Sequence, residues 1–271
     1  RYFALTFIST FVLWGTGAVV SHTFGRGGLY MLFVVPGLLT PFIISFIMTF
    51  TSKEKRLRKD FLNRLINIKL INPKILPVFF LIMPSSVILS ILLSTIFGGS
   101  LEQLQLAEGF SFSAGAVPVL AILLMAAAFE ELGWRGYAFD SLLNRMNYFK
   151  ASLVFSILWS LWHFPLMFVY QSYQYEIYNE NVLYAVNFFV SIIPMGFIIS
   201  WICIKNRKSV FAAILFHFIT NISQELLSIT QQTKCIQTFV LTIFTVLIVI
   251  YDRKLFFRAE NDDYTLQENL L

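Results

Sequence analysis

VPVLAILLMAAAFEELGWRGYA, residues 117–138, is apolar for most of its length and then carries two carboxylates and a guanidinium within six residues. A run of that length and composition crosses a bilayer as a helix. Charges inside hydrocarbon are expensive, so three together mark function or tight pairing. Glu131 and Arg135 stand four apart with the acid first, the favourable order for an ion pair on a helix. Glu130 points about 100° away and meets only Trp134 at that spacing. Glu131–Arg135 therefore reads as structural support and Glu130 as the working group.

The same apolar character extends through the chain. Of 271 residues, 57% are hydrophobic and 13% charged, and the mean hydropathy is +0.72. A soluble domain carries about a quarter charged residues. The expected fold is an all-α, polytopic integral membrane protein. Runs long enough to span recur about eight times, near 2–20, 29–50, 75–97, 117–138, 151–170, 182–204, 210–227 and 235–251. The first lacks a signal-type cleavage site and is expected to be retained. Eight of the twenty Lys and Arg lie between 52 and 74, and further groups follow at Arg145 with Lys150, Lys205 with Arg207 and Lys208, and Arg253 with Lys254 and Arg258. The intervening connections hold only Arg26 and Lys234. The positive-inside rule then places both termini in the cytoplasm, as eight crossings require. No repeat or second domain is visible, so 1–271 is expected to form one transmembrane domain with a motif-bearing core at about 117–227.

Segment 52–74 mixes its bases with Phe61, Leu62, Leu65, Ile66, Ile68 and Leu70. It reads either as an amphipathic helix on the headgroups or as a solvated linker. Residues 98–115 are Gly/Ser-rich and acidic, a flexible connection by composition, and 258–271 reads as a polar, poorly ordered tail. Cys203 and Cys235 fall near opposite membrane faces, so no disulfide is expected between them, and no thiolate metal spacing exists. The five Trp and eleven Tyr are assigned to interfacial belts and packing.

Three further polar residues fall inside spans: His163 in the fifth, and His217 with Asn221 in the seventh, four apart on one helix face. At about 1.5 Å per residue from the cytoplasmic ends, Glu130 and His217 lie roughly 12 Å deep, His163 and Asn221 roughly 18 Å. Separate helices thus place all four in one slab. Pro165, two residues past His163, is expected to kink the helix there, and Pro194 to act similarly in the sixth span. His22 reads as an interfacial residue.

A carboxylate, two imidazoles and an amide in a wet pocket can activate water and stabilise an oxyanion. Glu130 would take the proton, His163 would hold the same water, and His217 with Asn221 would donate to the tetrahedral oxygen. No GxSxG elbow or HExxH helix is present. A zinc site on Glu130, His163 and His217 is chemically possible. Asn221, a poor zinc ligand and a good oxyanion donor, favours the metal-free version.

Glu130-Glu131-x-x-x-Arg135, Trp159 four before His163, and His217-x-x-x-Asn221 resemble the three motifs of the CPBP (ABI) intramembrane proteases, which include type II CAAX prenyl endopeptidases of the Ras-converting-enzyme type. The second motif usually begins with Phe; here it is Trp159. The match covers about 121–223. The resemblance implies an eight-helix endopeptidase with a conical cavity open to the cytoplasm, removing three C-terminal residues from prenylated CAAX proteins. Carried over by motif, Glu130 and His163 handle the water, and His217 with Asn221 form the oxyanion site. The implied partners are a prenylated protein or peptide and the lipid bilayer, without nucleic acid. The implied location is the cell membrane of a prokaryote, to which the Ile-, Phe-, Asn- and Lys-rich composition points, or the endoplasmic reticulum membrane of a eukaryote. Competing readings are a non-catalytic scaffold or immunity factor, and a transporter whose buried charges line an ion path.

Overall fold

The computed structural model describes residues 1–25, 28–109 and 118–257. The order is α1 (Tyr2–Phe24), α2 (Met31–Phe50), α3 (Lys55–Ile66), α4 (Leu76–Ser94), α5 (Val119–Gly133), α6 (Phe139–Leu143), α7 (Tyr148–Trp162), α8 (Tyr173–Glu180), α9 (Val182–Lys205), α10 (Val210–Glu225), α11 (Gln231–Tyr251) and α12 (Arg253–Phe256). Extended pairing among the described residues is limited to one bridge, Leu106 with Leu227. The chain is an all-α, polytopic integral membrane protein. Six helical stretches, containing α1, α2, α4, α7, α9 and α11, are long and apolar enough to cross a membrane. The remaining two expected spans are shorter: α5 has 15 residues and α10 has 16. α5 nevertheless runs on without a break, through a π turn at Trp134–Ala138, into α6.

Helix starts follow the chemistry of capping. Asn147, Ser172, Asn181, Ser209 and Thr230 each accept a backbone N–H at the start of α7, α8, α9, α10 and α11. α5 packs between α2 and α10, while α9 contacts α7, α10 and α11. Close approach on the α2 side depends on Gly133, where a Cβ would come within 2.4 Å of the Pro41 backbone. Pro41 withholds the N–H that would bond the Gly37 carbonyl. The Thr40 hydroxyl donates to that carbonyl instead, at 2.9 Å.

One expectation narrows and two change. All five tryptophans take the packing role, buried inside the protein, and four direct their N–H to Val34 O, Glu130, Thr10 or Asp252. A buried indole is stable there because its one polar atom finds an acceptor. Pro165 does not kink a continuing helix: α7 stops at Trp162, and a 3₁₀ turn, Phe164–Phe168, begins with His163 as its cap. A proline suits a first turn, where its missing donor costs nothing. α9, in contrast, passes through Pro194 unbroken. The described part of 98–115 is pinned by Gln103, which is buried, donates to Ser94 and accepts from Thr230 and Thr233. The rest of that connection and the tail at 258–271 lie outside the described residues. Cys203 and Cys235 are free thiols.

Segment 52–74 is helical over α3 and locked to the bundle. Arg64 donates to Asp140 at 2.9 Å and to the Gly136 carbonyl at 3.0 Å, while Lys208 reaches Asp140 at 3.2 Å. Burial disfavours the Asp140 charge, but Arg64 and Lys208 outweigh it and hold the carboxyl below its usual value. Burial likewise opposes the Arg64 charge, and Asp140 with Asp60 outweigh it, raising the guanidinium value.

Two outcomes follow for thermal unfolding in detergent. Gly133→Ala costs about 1–3 kcal/mol through overpacking against α2; an unchanged midpoint contradicts the close approach. Because the Asp140 value is lowered on folding, its contribution is complete above about pH 4 and is lost as pH falls further. Asp140→Asn is therefore less stable at neutral pH, with the gap to wild type closing below about pH 4. A gap independent of pH contradicts the ion-pair account.

Candidate active site

Glu131 and Arg135 are buried, 0% and 1% exposed, with Arg135 Nη1 3.0 Å from Glu131 Oε1. Two further helices receive the guanidinium. It lies 4.3 Å over the Phe155 ring and 5.1 Å over Trp159 of α7, and Nη2 stands 3.5 Å from Ser200 Oγ of α9. Aromatic faces and a paired carboxylate make this a tolerable place for a cation that water cannot reach.

Glu131 has a second partner that the helix spacing did not reveal. His217 Nδ1 stands 2.9 Å from Glu131 Oε1. A carboxylate accepts only, so this geometry assigns the Nδ1 proton to the imidazole and leaves Nε2 as its free nitrogen. One turn farther along α10, Asn221 donates to the Leu123 carbonyl at 3.3 Å. α10 therefore meets α5 at two levels in antiparallel fashion, and the amide has a second hydrogen available.

Glu130 is 6% exposed, and its partner comes from α7: Trp159 Nε1 donates to Oε2 at 2.7 Å. His163 Nδ1 stands 2.9 Å from the Trp159 carbonyl, which likewise leaves its Nε2 free. The Trp159 ring lies 6.3 Å from His163 and 5.5 Å from His217. Phe155, Trp159 and His163 recur every four residues, so one stripe of α7 serves the cluster. Glu130, His163 and His217 lie within electrostatic reach of one another. Sequence reasoning noted Trp159 only as a motif variant; the signal available was an indole N–H where the motif usually carries Phe.

Among the described residues no three His, Cys, Asp or Glu side chains converge as a metal-ligand set. A cavity of about 400 Å³ opens beside α1 and the π turn, lined by Tyr2, Met48, Tyr137, Arg145 and neighbours. Glu130 and the histidines do not line it. His22 is exposed at the end of α1, near the Phe168 carbonyl.

Comparison with known proteins fits this arrangement. Residues 112–223, which contain all three motifs, match the family described as type II CAAX prenyl endopeptidase Rce1-like. Over 256 residues, 94% of each chain, the sequence is 59% identical to CAAX prenyl protease 2 of Methanococcus maripaludis. The chain belongs to the Rce1-like type II CAAX prenyl endopeptidases. The matched stretch covers the parts of α5, α7 and α10 that carry Glu130, His163, His217 and Asn221, and it ends at Ser223, within α10.

Trp159→Phe keeps the ring and removes the donor to a buried carboxylate. It is expected to cost about 1–3 kcal/mol of stability, the penalty for a polar group left without its partner. Equal unfolding midpoints for the variant and wild type contradict the Trp159–Glu130 bond.

Proposed function

We propose that the chain hydrolyses the peptide bond that releases the last three residues of a prenylated CAAX protein, by direct attack of water. The observation that carries the reading is the meeting of Glu130, His163 and His217 around Trp159, from three helices, in a chain of this family. Glu130 takes a proton from the attacking water as the C–O bond forms. His163, with Nδ1 turned to the Trp159 carbonyl, presents an Nε2 lone pair that accepts the other water hydrogen. Negative charge develops on the carbonyl oxygen, where His217 Nε2–H in its protonated form and the Asn221 amide donate. Collapse of the intermediate breaks the C–N bond, and Glu130 returns its proton to the leaving amine.

Glu131, with Arg135, supports rather than reacts in this scheme. It fixes the His217 ring so that Nε2 faces the substrate. No metal is assigned, because an amide at position 221 suits oxyanion donation better than zinc ligation. Eight crossings, both termini cytoplasmic and a site open to the cytoplasmic side of the cell membrane follow from the alternating basic connections.

The test is cleavage of a farnesylated CAAX peptide by purified protein. Glu130→Gln is expected to lower the rate by at least about 10²-fold while the protein stays folded. His217→Ala and Asn221→Ala are expected to lose about 10²–10³-fold, and His163→Ala to fall substantially. A strong chelator leaves the wild-type rate unchanged. Normal turnover by Glu130→Gln overturns the assignment; loss of activity to chelator with recovery on zinc overturns only its metal-free form.

A further inference from the structure

The six apolar residues of segment 52–74 divide between two destinations. Phe61 and Leu70 are buried in the protein, at 3% and 9% exposed, and Leu65 is half-buried. Leu62, Ile66 and Ile68 are 43%, 72% and 69% exposed. The buried side of α3 is anchored: Phe61 packs where a Cβ on Gly136 would come within 2.7 Å of its ring, and Arg64 bonds Asp140 and the Gly136 carbonyl. This is a seated helix and not a loose linker.

Its opposite side is left uncovered by the described residues. Lys55, Lys59, Leu62 and Ile66 recur at steps of four, three and four residues, which places them on one stripe. All four are exposed. Among the described residues the ion pairs of this region use only Arg64, Asp60, Asp140 and Lys208, leaving Lys53, Lys55, Arg56 and Lys59 without an acidic partner. α3 connects α2 to α4, both long and apolar enough to span, so it lies where the bundle meets the membrane surface. Large aliphatic side chains exposed beside unpaired amines at that level match a leaflet, with carbon for the acyl boundary and cations for phosphodiesters.

We propose that the Lys55–Lys59–Leu62–Ile66 stripe of α3 docks on anionic phospholipid headgroups. Lipid is favoured over a soluble partner because the stripe pairs its charges with aliphatic side chains at the ends of two spanning helices. The buried side of the same helix grips the Gly136 carbonyl, one residue past Arg135, so lipid contact also steadies the end of the helix that carries Glu130 and Glu131.

The experiment uses the full chain with Cys235→Ser and Ile66→Cys, labelled at position 66 with an apolar fluorophore; Cys203 is buried. The protein is reconstituted in phosphatidylcholine vesicles with increasing phosphatidylglycerol and a headgroup-level nitroxide lipid. Quenching is expected to rise with phosphatidylglycerol. In the Lys55→Gln/Lys59→Gln variant, half-maximal quenching is expected to need roughly tenfold more anionic lipid, from losing two surface cations. Both side chains are exposed, and an unchanged unfolding midpoint confirms that the fold is intact. Quenching that is independent of phosphatidylglycerol, or a label solvated in every vesicle, overturns the proposal; the second result is what docking on a soluble partner gives.

Discussion

A single buried carboxylate sets the arrangement of this protein. Glu131 is fully enclosed and receives Arg135 from its own helix and His217 from α10. Removing one partner from such a group exposes the other to a desolvation cost of several kcal/mol. The three charged or polar groups must therefore pack together, and the helices that bear them follow. Arg135 extends the constraint by lying over Phe155 and Trp159 and reaching Ser200. Four helices thus meet at one buried ion pair.

The adjacent carboxylate has a different environment. Glu130 is held by one indole N–H from α7 and stands near two histidines, each with its Nδ1 already occupied. Neighbouring acids in one sequence thus acquire separate tasks from helix rotation alone. One closes a structural network, and the other faces the groups that the proposed hydrolysis requires.

Much of this was legible in the sequence, for identifiable reasons. Helix spacing predicts contacts within a helix, so the Glu131–Arg135 pair and the shared face of His217 and Asn221 could be read directly. Hydropathy and basic residues outlined the spans. Contacts between helices depend on rotation and depth, which a single sequence does not state. That is why the bonds from Trp159 to Glu130 and from His217 to Glu131 were not foreseen. An indole suits an interface as well as a core, so the sequence leaves belt and packing roles open; here all five lie inside, and buried acceptors hold four of them. The proline after His163 was read as a kink because its position at the start of a 3₁₀ turn depends on where α7 ends. Segment 52–74 looked equally like a linker until Arg64 and Phe61 fixed it against the π turn.

The most direct test of the Glu131 network is a double-mutant cycle by equilibrium unfolding in detergent, using Glu131→Gln, His217→Gln and the double variant. Residues that share a buried bond are expected to show a coupling of about 0.5–3 kcal/mol, the double variant losing less than the sum of the singles. Strict additivity would show that Glu131 and His217 do not act on each other, and would contradict the central place given to the Glu131 network.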